Sequence, residues 1–154
     1  MKYPKVTKKR NGNGVKPRSQ YAALPWRLGE GVEVLLLTSR GTRRWVIPKG
    51  WPMKGRKPHT TAAIEALQEA GLLGKIEKKK VGSYHYPKRL KNGAALLCRV
   101  DVFPLRVVRQ RKSWPEKDQR VTKWYPVEKA AELVHEPELS ELFKVFTAMI
   151  PHGR

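Results

Sequence analysis

The apolar positions of this chain fall into short dense runs first and a helical spacing later. Residues 20–28 and 32–38 are mostly apolar and are separated by Gly29-Glu30-Gly31, which predicts two strands joined by a turn. Pro25 marks an interruption or an edge in the first, while the run Val34-Leu35-Leu36-Leu37 predicts burial of the second on both faces. Residues 44–47 form a third short apolar run. Pro48, Gly50, Pro52, Gly55 and Pro58 then recur too densely for regular structure, so a loop is expected there. Pro58 suits a first helical turn and Gly71 a left-handed C-terminal position, and residues 62–70 between them are mostly good helix formers. A weak alternation over 75–86, with lysines among the apolar residues, predicts an exposed strand. Asn92-Gly93 predicts a hairpin turn into a long strand over 94–103. One more strand is expected at 121–125, followed by helices over 127–134 and 137–149. In the last of these Leu139, Leu142, Phe143, Phe146 and Ile150 recur at helical spacing, so one face packs on a core. Strands on either side of one helix, with two helices at the end, indicate an α/β fold whose mixed sheet is covered on both faces.

The 154 residues suffice for one domain with a real core. That domain is expected over 20–150, with a short tail at 151–154. Residues 1–19 are basic, contain Asn-Gly-Asn-Gly and offer little apolar surface, which predicts a flexible arm. The net charge is +20, and seven basic residues without an acid fall in the first twenty, leaving +13 on the remainder. Such an excess points to a polyanionic partner: nucleic acid, an anionic membrane surface or a polyphosphorylated small molecule. A single cysteine, Cys98, excludes an intramolecular disulfide and sits in an apolar run where a core role is expected. No apolar stretch approaches the length of a membrane span and no signal-peptide pattern follows the basic start, so a cytoplasmic location is expected.

Candidate chemistry concentrates in the predicted loop and helix. Glu65, Gln68 and Glu69 are spaced i, i+3 and i+4, so the three side chains share one helical face. Two carboxylates held this close raise each other's pKa unless a cation lies between them. Oxygen ligands on a rigid element suit Mg2+, with Mn2+ as an alternative, and leave positions for water and phosphate. Arg40, Arg43, Arg44, Lys49, Lys54 and Arg56 flank this stretch on its N-terminal side; they are candidates for phosphate binding, or else a solvated basic loop. Lys88, Arg89 and Lys91 are candidates for an opposing wall. Trp51 and Trp114 fit either core or rim, and the four histidines show no metal-ligand spacing.

The stretch from Gly50 to Leu72 resembles the box of the Nudix hydrolases. That pattern is Gly, five residues, Glu, seven residues, Arg-Glu-aliphatic-any-Glu-Glu-any-Gly-aliphatic. Arg56 stands in place of the first Glu, Ile64 in place of the Arg and Gln68 in place of the first member of the Glu-Glu pair. The first Glu and the Arg commonly pair in that family, so losing both strands no buried charge. Trp45-Val46-Ile47-Pro48-Lys49-Gly50-Trp51-Pro52 and Trp124-Tyr125 further resemble the diphosphoinositol-polyphosphate and diadenosine-polyphosphate branch, and the likeness runs roughly from residue 20 to residue 150. The resemblance implies an α/β/α sandwich and a metal site on Gly50, Glu65 and Glu69. It implies Ser39-Arg40 as a phosphate-contacting pair and Glu116 as an extra carboxylate from outside the box. The catalytic group would then be Glu65, Glu69, Gln68 and Glu116, with Gln68 able only to orient a water. The expected activity is Mg2+-dependent hydrolysis of a pyrophosphate bond in a polyphosphorylated small molecule. The alternatives are a catalytically weakened module that binds RNA or another polyanion through its basic surface and arm, and a plain nucleic-acid-binding domain.

Overall fold

A computed structural model describes residues 16–150. The first fifteen residues of the expected arm and the tail at 151–154 lie outside it, and Arg18 and Ser19, the end of the arm, open the first strand. The elements run β1 (Arg18–Leu28), β2 (Val32–Thr38), β3 (Trp45–Val46), β4 (Lys49–Gly50), α1 (Pro58–Ala70), β5 (Leu72–Ile76), β6 (Gly82–Arg89), β7 (Ala95–Gln110), β8 (Thr122–Pro126), α2 (Val127–Leu133) and α3 (Pro137–Met149). The described strands form one mixed sheet with the order β3-β2-β1-β7-β5. In addition β4 pairs with β1, β6 with β7 and β8 with β2. Only β1 and β7 run parallel among these pairs.

Alternation along the central strands divides the core in two. Ala23, Leu35, Leu37, Phe103 and Leu105 face α1, whereas Ala22, Leu24, Val34, Leu36, Val100 and Val102 face α2 and α3. This is why residues 34–37 are continuously apolar, since both sheet faces are covered. The α/β/α sandwich expected from the sequence is therefore the fold. No helix of the described residues is long and apolar enough to cross a membrane.

Two central strands accommodate prolines at gaps between their neighbours. Ala23 N–H donates to the Pro48 carbonyl at 3.0 Å, so Pro25 turns its missing N–H toward the same side, between the β4 partners Tyr21 and Ala22 and the β2 partners from Trp26 onward. Pro104 in β7 likewise lies between Leu105, which pairs with β5, and Val102, which pairs with β6. Its carbonyl still accepts from the Glu77 N–H at 2.9 Å, so the strand keeps one bond on that side. The single strand expected over 75–86 is instead divided, because β5 ends at Ile76 and β6 begins only at Gly82.

Three alanines set the position of α1. Ala62, Ala66 and Ala70 recur every four residues, are fully buried and bring the helix backbone close to the sheet. Gly71 closes the helix at φ 70° and donates its N–H to the Ala66 and Leu67 carbonyls. An added Cβ at Gly71 would lie 2.2 Å from the Trp114 ring, which packs over the helix end and donates its indole N–H to the Glu69 carbonyl at 3.2 Å.

Candidate active site

A cleft of about 800 Å³ opens along the C-terminal half of α1. Glu65 and Glu69 line it together with Gly50, Lys49 and Trp51 from the loop before the helix, Ser39, Arg40 and Arg44 from the β2–β3 turn, and Glu116 from the segment after β7. The turn is held by its own bonds. Ser39 and Arg44 are joined through backbone and side chain, at 2.8 and 2.9 Å, and the Ser39 and Thr42 hydroxyls lie 2.7 Å apart. Arg40 donates to Gln119 Oε1 at 2.9 Å, tying the turn to the segment carrying Glu116.

Gly50 and Glu65 fit each other at very close range. A Cβ on residue 50 would fall 2.1 Å from Glu65 Oε2 and 2.3 Å from its Cδ. Only a glycine backbone leaves room for this carboxylate, and the β4–β1 pairing fixes that backbone. Glu69, one turn on, is 6% exposed. Its pKa is pushed up to about 8, chiefly by burial, with Arg120 and Lys49 pulling the other way and a hydrogen bond shared with Glu65 favouring the protonated form. Burial also raises Glu65, while the bond to Glu69 and the nearby cations lower it. Lys49 is shifted down by burial and held up by Glu69 and Glu136.

The remaining carboxylate, Glu116, is engaged elsewhere. Arg120 Nε donates to Glu116 Oε1 at 2.8 Å, its Nη1 to the Thr38 carbonyl at 3.1 Å, and its Nη2 lies 3.9 Å from Glu69 Oε1. Gln68 reaches the other Glu116 oxygen through its amide N–H at 3.4 Å. Among the described residues, no three His, Cys, Asp or Glu side chains converge as a metal-binding cluster.

Of the sequence-identified site residues, Lys54, Arg56, Arg43 and Lys91 stand outside the lining of the cleft, as does Gln68. Lys54 and Arg56 are exposed on the loop before α1. Arg43 sits at φ 59° in the β2–β3 turn with Nη1 3.5 Å from the Thr38 hydroxyl. Conversely, Gln20, Tyr86, Lys88, Arg89, Arg120, His135 and Glu136 line the cleft. Of the three basic candidates beside the hairpin, Lys88 and Arg89 line the cleft and Lys91 does not. Arg120 went unread, although its four-residue separation from Glu116 was a visible signal. Tyr86 donates its hydroxyl to Gln20 at 2.6 Å across strands far apart in sequence, which no local pattern encodes.

No family-wide sequence model matches the chain. Individual proteins do. Nudix hydrolase 16, mitochondrial, from Arabidopsis thaliana is 28% identical over 116 residues, covering 73% of this chain and 64% of its own length. Diphosphoinositol polyphosphate phosphohydrolase 3-alpha from Mus musculus is 29% identical over 143 residues, covering 90% of this chain and 82% of its own. The solved Ap4A hydrolase of C. elegans superposes with a TM-score of 0.64 at 20% identity, over 88% of this chain and 99% of that one. The chain is thus similar to Nudix hydrolases in sequence and shares their fold. It spans between about half and two thirds of the length of several plant relatives, 52% of Nudix hydrolase 12 among them.

The box-like stretch forms β4, the following loop, α1 and the start of β5. Its three departures carry little structural strain. Arg56 is exposed and Ile64 half-buried, so the replaced Glu-Arg pair leaves no stranded charge. Gln68 is exposed and serves Glu116 as a donor, which a glutamate could not do while ionised. The donor set suits a divalent ion resting on two carboxylates: Glu65 is seated where any Cβ on residue 50 would collide, and Glu69 is a buried acid whose ionisation a cation would favour.

Proposed function

We propose that the chain is a magnesium-dependent pyrophosphohydrolase acting on a polyphosphorylated small molecule, with manganese as an alternative ion. One observation supports this above all: an acidic pair, Glu65 lodged against Gly50 and Glu69 one turn on, in a cleft lined by Lys49, Arg40, Arg44, Lys88 and Arg89. The pair would hold the cation, with the Gly50 backbone beside it. A divalent ion bound there supplies Lewis acidity toward phosphoryl oxygens and lowers the pKa of a water.

The chain's own groups do the rest. Arg40 and Arg44 offer planar donors to phosphate oxygens, and Lys49, Lys88 and Arg89 line the same cleft, so charge developing on the leaving phosphate is neutralised by a basic lining. Glu65 makes no ion pair among the described residues, whereas Glu116 is held by Arg120 and Gln68. We therefore assign proton acceptance from the attacking water to Glu65 rather than Glu116. Gln68, turned toward Glu116, plays no part in holding the cation. Ser39 contributes through the turn that presents Arg40 and Arg44.

The test is release of phosphate or a phosphorylated fragment from nucleoside diphosphate derivatives, diadenosine polyphosphates and diphosphoinositol polyphosphates, with and without Mg2+. Turnover of at least one class that requires the metal and disappears in Glu69→Gln is expected. Tight binding of these compounds or of RNA without any turnover would favour the alternative, a polyanion-binding module on the same fold.

A further inference from the structure

We propose that Arg120 is a cation tethered between two carboxylates: its guanidinium, set between Glu69 and Glu116, keeps Glu116 from acting as a metal ligand and limits the site to one divalent ion. This inference rests on the metal-site reading above. Three elements fix the guanidinium at once, through Glu116 Oε1 at 2.8 Å, the Thr38 carbonyl at 3.1 Å and Glu69 Oε1 at 3.9 Å. Its side chain is only 10% exposed, and those of its two carboxylate partners are 13% and 8% exposed. An arginine drawn this far out of water on a strongly basic chain is there for its partners, because its desolvation is offset only by paired anions.

Gln68 completes the arrangement. Its amide N–H points to Glu116 Oε2, so Glu116 meets a guanidinium on one oxygen and a neutral donor on the other. A carboxylate with both oxygens engaged by protein donors has little left to offer a metal.

The experiment is Mn2+ binding to the full chain, followed by electron paramagnetic resonance and calorimetry, for wild type, Arg120→Gln and Arg120→Lys. Wild type is expected to bind one ion per chain. Arg120→Gln removes the charge and is expected to bind two; Arg120→Lys restores it and returns to one. Circular dichroism establishes that each variant is folded. Glu116→Gln gives an independent arm that leaves Arg120 in place. It should change the Kd of the first ion by less than fivefold, since Glu116 is not a ligand. Two ions on wild type, one ion on folded Arg120→Gln, or a fivefold or greater loss of affinity in Glu116→Gln would overturn the role given to Arg120 alone. Wild type binding no ion would instead overturn the metal site itself.

Discussion

Replacing Gly50 by alanine should separate the site from the fold. The added Cβ would sit 2.1 Å from Glu65 Oε2 and 2.3 Å from Cδ, where ordinary contact begins near 3.4 Å. Glu65 must therefore retreat by more than an ångström. The groups in the way are the far end of a flexible side chain, so a rotamer change relieves them at a cost of about 1 kcal/mol. Residue 50 does not have a positive φ, and its pairing with Tyr21 uses only backbone, so the fold tolerates the change. Catalysis does not. A misplacement of about 1 Å in a positioned group can cost roughly 100-fold in rate, or about 2.7 kcal/mol in the barrier. We expect kcat/KM for Mg2+-dependent hydrolysis to fall about 100-fold while urea unfolding shows a loss of about 1 kcal/mol. Gly31→Ala, where a Cβ meets nothing within 4 Å, is the control and should change neither. Undiminished turnover in Gly50→Ala would show that the position of Glu65 is irrelevant to the chemistry. A collapse of stability would show that Gly50 serves the fold instead.

The remaining predictions concern the helix that carries the acids. Gly71→Ala forces a residue with a side chain into φ 70° and drives a Cβ to within 2.2 Å of the Trp114 ring, so unfolding free energy should drop by roughly 2 to 4 kcal/mol. Gly93→Ala, at φ 88° with open space around it, should lose only about 1 kcal/mol; equal losses at the two sites would mean that the Trp114 contact contributes nothing. For Glu69, the folded pKa of about 8 lies above the ordinary 4.5, so its contribution to the metal-free protein is complete at acid pH and is lost as pH rises through that window. Glu69→Gln cannot ionise and should become more stable than wild type between pH 5 and 9, by up to roughly 5 kcal/mol at the alkaline end. Urea titrations of metal-free protein at both pH values check this, and a constant difference between the two proteins would refute it.

The helix of the box was legible because its ends are marked chemically: Pro58 and Gly71 bound it in the sequence and in the structure alike. Helix α3 was equally plain from its apolar spacing. The sheet was less so. β7 continues through Pro104 to Gln110, past the last apolar run, because β1 and β5 supply backbone partners for residues such as Arg106 and Arg109 whose side chains remain in water. A two-residue strand at Lys49–Gly50 cannot announce itself at all; it exists through pairing with Tyr21 and Ala22. The candidate site divides in the same way. Glu65 and Glu69 are one helical turn apart and could be placed together from spacing alone. Arg120, Tyr86 and Glu136 reach the cleft through three separate connections, and only the closed fold brings them to it.

That division bears on how far the box can depart from its pattern. Arg56 and Ile64 replace a pair whose members would have depended on each other, and both stand where neither needs a partner: one in water, the other half-buried on α1 itself. Gln68 is different, because its effect passes through residues outside the box. An amide there donates to Glu116, Glu116 binds Arg120, and Arg120 reaches back to Glu69. A glutamate at residue 68 would face the Glu116 carboxylate within hydrogen-bonding range and compete with it for the guanidinium, so restoring the pattern at that position alone would disturb the neighbour that now balances Glu69. Gln68→Glu should therefore raise Mn2+ affinity more in an Arg120→Gln background, where the new carboxylate is free to bind metal, than in wild type. Calorimetric titration of the two single variants and the double variant measures that coupling. Additive effects would mean that residues 68 and 120 act independently, and the chain of contacts from Gln68 to Glu69 would then carry no functional weight.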